Sequence, residues 1–141
     1  MIAWILFVSL LLDQFSKFVI LRKLSFGQSI PVIPPFFHIT LIENTGIAFG
    51  LFKGNSGFWV GAGLLILVWI YRLLEKRQIQ GYWAFIGLGL ISGGALGNLI
   101  DRLRYGYVVD FLDFRVWPVF NVADICISVG TALFFVACFR K

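Results

Sequence analysis

Long apolar runs, broken at a few points by polar residues, dominate the chain. Four of them approach the ~20 residues a helix needs to cross a bilayer. They fall at about residues 1–21, 57–74, 82–100 and 120–139. The first carries Asp13, Gln14, Ser16 and Lys17 inside it. It has neither a basic start nor a small-residue cleavage point, so it reads as a retained helix. A short polar turn around Glu75-Lys76-Arg77 joins the second and third runs. Four spans place both termini on one side and two larger segments, residues 22–56 and 101–119, on the other.

Those two segments are patterned differently from the spans. The first holds Pro31, Pro34 and Pro35, which forbid a helix, followed by Phe36-Phe37-His38-Ile39-Thr40-Leu41-Ile42, which suits short strands. A small sheet at the membrane surface is expected there. In the second, Tyr105-Gly106-Tyr107-Val108-Val109-Asp110 is compatible with a strand or a short surface helix. The expected architecture is a membrane all-α fold. It has four transmembrane helices, a small extracytoplasmic sheet and a short surface segment, in one domain over residues 1–141.

Composition supports this class. Residues of the AVILMFWYC set make up 60% of the 141 residues and charged residues 13%. Soluble domains average about 25% charged. A chain this short leaves roughly a third of its surface exposed, so water would meet too much apolar side chain. Disorder is excluded by the same aromatic, charge-poor composition. The net charge of +5 comes from Lys and Arg scattered singly or in pairs, which forms no basic stripe for nucleic acid and fits anchoring at lipid head groups. Seven basic residues fall on the two-segment side (Lys17, Arg22, Lys23, Lys53, Arg102, Arg104, Arg115) and five on the terminal side (Arg72, Lys76, Arg77, Arg140, Lys141), so charge alone leaves orientation open. Cys126 and Cys138 lie twelve residues apart in one helical run. That is ~18 Å of rise, beyond the ~7 Å disulfide limit, so both read as packing residues.

Six of the seven acids, Asp13, Glu43, Asp101, Asp110, Asp113 and Asp124, map to the two-segment half; Glu75 is the exception. Ionisable groups in a span are costly and are functional candidates. For Asp13 a second reading stays open, because Lys17 stands four residues on and the two can pair within the helix. Asn98-Leu99-Ile100-Asp101 and Asn121-Val122-Ala123-Asp124 repeat one Asn-x-x-Asp pattern at two helix ends. Such spacing puts amide and carboxylate on one helix face. Capping is the alternative for Asn121. It explains less at the end of helix three, where Asp101 opposes the dipole and Arg102 suggests a charge pair. Gly89, Gly93 and Gly97 form a ridge that lets another helix approach closely.

The possible chemistries narrow quickly. His38 is the sole histidine and reads as a surface or packing residue, and neither cysteine has a basic neighbour. No close His/Cys spacing suggests a metal. Carboxylates remain, and two of them can share a proton, one as base on a water and one as acid. Residue spacing does not say which two.

The motifs themselves resemble a known family. They are Asp13-Gln14-Phe15-Ser16-Lys17, Asn44-Thr45-Gly46-Ile47-Ala48-Phe49-Gly50, Gly93-Gly94-Ala95-Leu96-Gly97-Asn98-Leu99-Ile100-Asp101-Arg102, Val108-Val109-Asp110-Phe111 and Phe120-Asn121-Val122-Ala123-Asp124. In this order they resemble the lipoprotein signal peptidases, also called signal peptidase II or prolipoprotein signal peptidases. The resemblance spans essentially the whole chain.

It implies an aspartic endopeptidase of the bacterial inner membrane that needs neither cofactor nor metal. Its substrates are diacylglyceryl-modified prolipoproteins, cut on the N-terminal side of the lipidated cysteine. Membrane lipids and globomycin-type inhibitors are the other implied partners. The site would face the extracytoplasmic side, with both termini cytoplasmic. By position the catalytic pair falls on Asp110 and Asp124, with Asp13, Lys17, Asn44, Gly46, Asn98, Asp101, Arg102, Asn121 and Ala123 binding substrate or supporting the site. Ile127 and Gly130 continue the last motif. The link from Asp110 to Asn121 is short for the family. Arg102 beside Asp101 favours a structural ion pair there. Asp110 has no basic residue within four positions and follows Val108-Val109, a better setting for a carboxyl that keeps its proton. Asp113, near Arg115, reads as a surface charge.

Overall fold

The computed structural model describes residues 1–46, 56–75 and 81–139. The stretch Ile47-Ala48-Phe49-Gly50 of the second motif lies outside the described residues, as do Lys53, Lys76, Arg77, Arg140 and Lys141. In chain order the elements are α1 (Ile2–Lys23), β1 (Ser29–Ile33), β2 (Phe37–Asn44), α2 (Ser56–Glu75), α3 (Tyr82–Tyr105), β3 (Val108–Asp113) and α4 (Val122–Phe139). Among the described residues, α1, α3 and α4 are long and apolar enough to cross a membrane, and α2 contributes the shorter apolar stretch Val60–Leu73.

The bundle is built inside out. On α1 the buried residues are Ser9, Asp13 and Lys17, one stripe at four-residue spacing. Trp4, Phe7, Leu11, Leu12, Phe15 and Phe18 point outward. In a bilayer this is the stable arrangement, because lipid solvates apolar side chains while polar ones must find partners inside the protein.

Helix α3 is the hub, packed against α1, α2, α4 and β3. Its glycines make this possible. A Cβ on Gly89 would stand 2.8 Å from Ile5 Cβ of α1, and one on Gly87 would stand 2.6 Å from the Gly130 carbonyl oxygen of α4. At Gly93 and Gly97 it would overlap the Ser9 hydroxyl and the Asp13 carboxylate. The ridge expected from sequence therefore faces α1, and Gly87 and Gly94 form a second one facing α4.

Where hydropathy ends the third run near residue 100, α3 continues to Tyr105. Asp101 and Arg102 thus belong to its closing turns. The helix stops at Gly106, which sits at φ 80° and donates its N–H to the Arg102 carbonyl. That left-handed cap suits glycine, which has no Cβ to clash. The chain then turns directly into β3. The three strands form one antiparallel sheet in the order β1-β2-β3. Segment 101–119 therefore supplies a strand to the sheet expected from residues 22–56, pairing Ile42 with Asp110 and Asn44 with Val108. The sheet covers the bundle end formed by the C-termini of α1 and α3 and the N-terminus of α4. Leu24, Leu41 and Val109 make the small apolar core there, packed by Ile20, Leu21, Ile39 and Tyr107.

Candidate active site at the sheet end of the bundle

Asp110 lies on β3, the strand that meets the helices, and is fully buried. Both carboxylate oxygens are held by amides. Oδ1 accepts from Asn121 Nδ2 at 2.6 Å and Oδ2 from Asn44 Nδ2 at 2.7 Å. Burial pushes its proton affinity up and the negative charge of Asp124 adds to this, outweighing the two amides, so its pKa stands at about 7. Loss of water disfavours the ion, and a second carboxylate nearby disfavours it again.

Asp124 comes from the first turn of α4, where backbone N–H groups and the helix dipole favour an anion. The turn is closed reciprocally. Asn121 Oδ1 accepts the Asp124 N–H at 2.9 Å, and Asp124 Oδ2 accepts the Asn121 N–H at 3.3 Å. This is a capping box with Asn and Asp in the two roles. Asn121 is thus both cap and site residue: its Oδ1 starts the helix while its Nδ2 binds Asp110. Asp124 Oδ1 accepts from Asn98 Nδ2 at 2.8 Å. Asp124 is only part-buried and borders a groove of about 530 Å³ lined by Phe114, Trp117, Phe120, Ile125 and Val129 among others.

Behind the two aspartates lies a buried ionic cluster. Lys17 Nζ contacts Asp13 Oδ2 at 2.9 Å, Asp101 Oδ2 at 2.7 Å and Asn98 Oδ1 at 3.1 Å. The helix-internal pair of Asp13 and Lys17 exists, and Asp101 from α3 completes it. Burying charge without partners costs several kcal/mol per ion; here the remaining oxygens are satisfied as well. Asp13 Oδ1 accepts the Ala123 N–H of α4 at 2.9 Å and Asp101 Oδ1 accepts from Gln14 Nε2 at 3.1 Å, while Asp101 Oδ2 also takes the Val109 N–H of β3 at 3.1 Å. One cluster thereby ties α1 to the start of α4, and α3 to the strand that carries Asp110. Ala123 packs directly on α3: a Cβ on Gly94 would stand 2.5 Å from its carbonyl oxygen.

Gly46 acts through its backbone. Its N–H donates to Asn44 Oδ1 at 3.0 Å, which turns the amide NH₂ of Asn44 toward Asp110. Arg102 Nη1 donates to the Asn98 carbonyl at 3.3 Å. All eleven residues singled out from sequence therefore meet at this end of the bundle.

Asp101 interacts with the charge of Arg102 beside it, as sequence suggested, and gains a second cationic partner in Lys17 of α1 at 2.7 Å. Two expectations need correction. Asp113 is no surface charge. It is buried, accepts from Thr40 Oγ1 at 2.6 Å and from the Arg115 N–H at 2.9 Å, and meets Arg115 Nη1 at 3.6 Å. Its burial raises proton affinity, but these donors and the Arg115 charge outweigh it and hold the carboxyl below its ordinary range. Cys138 is exposed on the outside of the bundle, not packed within it. Sequence reasoning also assigned no role to Gln14, whose Nε2 donates to Asp13 Oδ2 and Asp101 Oδ1, both at 3.1 Å. A polar side chain in an apolar run was the available signal. Among the described residues, no group of three or more His, Cys, Asp or Glu is placed to hold a metal ion.

An apolar helical bundle, capped by a small sheet and holding carboxylates between amides at the junction, defines a multi-pass membrane protein with a carboxylate-based site. Comparison with known proteins specifies it further. The family model described as Signal peptidase (SPase) II matches residues 5–140, and the chain belongs to this family of aspartic proteases, which cleave signal peptides from prolipoproteins. The lipoprotein signal peptidase of Halothermothrix orenii is 41% identical over 133 residues, covering 94% of this chain and 91% of that protein. The lipoprotein signal peptidase of Pelotomaculum thermopropionicum is 47% identical over 133 residues, covering 92% and 85%. A solved bacterial membrane enzyme, determined by the in meso method at 2.3 Å resolution, superposes with a TM-score of 0.90 at 32% identity, covering 97% of this chain and 86% of that one.

Proposed function

We propose that Asp110 and Asp124 are the catalytic pair of this signal peptidase and that the other nine residues bind substrate or hold the pair. The observation that carries this is the placement of Asn121, which binds Asp110 with its amide and the Asp124 N–H with its oxygen. Asp110, with its pKa at about 7, is the member that keeps a proton. Asp124, part-buried on the groove, is the base. It takes a proton from a water whose oxygen attacks the scissile carbonyl carbon, while Asp110 gives its proton to the carbonyl oxygen. When the tetrahedral diol collapses, the C–N bond breaks and the proton held by Asp124 passes to the leaving nitrogen. In the same collapse one diol hydroxyl returns its proton to Asp110 as the carbonyl of the new carboxyl terminus re-forms. General acid–base help of this kind is worth roughly 10²–10⁴-fold.

The substrate is a prolipoprotein with a diacylglyceryl-modified cysteine, cut on the N-terminal side of that residue. The apolar groove beside Asp124 suits a chain that stays in the lipid phase, and bilayer lipids line the outward face of α1. Globomycin-type inhibitors would compete there. The site faces the extracytoplasmic side of the bacterial inner membrane, with both termini cytoplasmic and the sheet at the outer surface. The whole chain acts as one membrane peptidase domain.

The test is cleavage of a lipidated precursor by the purified protein in detergent. Asp110→Asn and Asp124→Asn should each lose at least roughly 10²-fold in rate and stay folded in the membrane. Activity should persist in EDTA. Appreciable cleavage by either variant, or loss in EDTA restored by one divalent ion, would overturn this reading.

A further inference from the structure

The Lys17 ammonium is nearly inaccessible, at 2% exposure. It has three N–H bonds and meets three acceptors: Asp13 Oδ2, Asp101 Oδ2 and Asn98 Oδ1. An ammonium only donates, so the Asn98 amide must turn its oxygen toward it. Asn121 Nδ2 donates to the same oxygen at 3.1 Å. With Oδ1 fixed from both sides, the amide NH₂ of Asn98 has one direction left, and there it meets Asp124 Oδ1 at 2.8 Å. The reversed amide would put NH₂ against the ammonium and the Asn121 NH₂, and an oxygen against a carboxylate, losing all three bonds. The two aspartates on Lys17 occupy two of its protons and so aim the third.

From this geometry, and resting on the catalytic reading above, we propose that Lys17 is a positioning residue. Acting through the Asn98 amide, it holds Asp124 Oδ1 as a hydrogen-bond acceptor, so that this carboxylate meets the water oriented and ionised. Lys17 touches neither substrate nor water. Its effect passes through one amide, and this separates the proposal from a role in folding alone. A structural lysine would set how much protein is folded. A positioning lysine sets the turnover of each folded molecule, and has no further effect once Asn98 is gone.

The experiment is a mutant cycle on the full-length protein, with kcat and KM for a lipidated precursor measured per folded molecule. Because Lys17→Met alone leaves two buried carboxylates without their cation, the main variant is Lys17→Met/Asp13→Asn. It removes one charge of each sign and keeps an oxygen for the Ala123 N–H. Misplacing a reacting group by about 1 Å is worth roughly 10²-fold. The double variant should therefore lose kcat by roughly 10–100-fold with KM within about twofold. Asn98→Ala alone should lose a similar factor, and the triple variant no more than about threefold beyond it, since groups acting in series do not add. A wild-type kcat in Lys17→Met/Asp13→Asn, or a triple variant showing the product of the two losses, overturns the proposal. So does failure of that variant to fold, which would make Lys17 a folding residue. Each of these leaves the catalytic pair standing as long as Asp124→Asn is inactive. Activity in Asp124→Asn would remove the underlying reading instead.

Discussion

Asn121 reaches Asp110 with its amide nitrogen at 2.6 Å while its amide oxygen takes the backbone N–H of Asp124 at 2.9 Å. The same side chain thus begins a membrane helix with its oxygen and spans the two aspartates with its nitrogen.

Replacing Asn121 separates the two roles only if the cap is kept. Asn121→Ala should remove both, costing about 1 kcal/mol of stability for the cap together with activity. Asn121→Ser retains a capping oxygen but no donor for Asp110. Its melting temperature should stay above that of Asn121→Ala while its kcat falls to a comparable level. Equal thermal losses in the two variants would show that the cap oxygen contributes nothing.

The raised proton affinity of Asp110 fixes a pH window. Its pKa moves from the ordinary 3.8 to about 7, so the folded protein binds this proton more tightly than the unfolded chain does. The stability this contributes is complete below pH 3.8 and disappears as pH rises through about 7. Activity should fall on the alkaline side over the same upper range as the shared proton leaves, and on the acid side once both groups are protonated, giving a bell. Carboxyl-carbon NMR on Asp-labelled protein should show the Asp110 titration move down in Asp124→Asn, because one of the two causes of the shift is removed. An unmoved titration would mean that burial alone is responsible.

Asp101→Asn should lower the amount of folded protein more than the chemistry per molecule. It deletes one of two carboxylates on Lys17 but can still accept the Val109 N–H. A hydrogen bond to a charged group is worth roughly 1.5–3 kcal/mol, and the melting temperature in detergent should fall accordingly. A stable but inactive Asp101→Asn, together with an active Asp110→Asn, would move the catalytic role to Asp101.

The packing glycines differ in what they tolerate. Gly87→Ala drives a methyl to 2.6 Å from the Gly130 carbonyl oxygen and 2.9 Å from the Phe134 nitrogen, both backbone atoms that cannot rotate away. Overpacking of this kind costs about 1–3 kcal/mol. Gly61→Ala on α2 meets no described atom within 4 Å, and it should be neutral or slightly stabilising through helix propensity. Thermal unfolding of both variants in one detergent checks the contrast.

Much of this protein was determined by sequence alone. Apolar runs of bilayer length have one low-energy solution in lipid, a helix, since every backbone N–H must find a carbonyl within its own segment. The prolines and β-branched residues between the first two runs then left strands as the alternative. The acids were legible because a charge in a span is too costly to occur without a partner, and the order of the five motifs brought out Asp110, Asp124 and the residues around them. Tertiary structure decided which groups meet. Asp101 gained Lys17, 84 positions away in the chain, as an ion partner because α3 lies against α1. Asp113 was drawn inward by Thr40 across the β2–β3 pair, a contact that no local window contains. Gln14 gained its role from carboxylates on two helices. The direction of each amide rests on which end faces a group that can only donate, and such groups come from distant segments for Asn98 and from the next turn for Asn44 and Asn121. Pairings of this kind depend on how helices cross, and crossing follows from side-chain shape in three dimensions, which the linear pattern of apolar and polar residues does not encode.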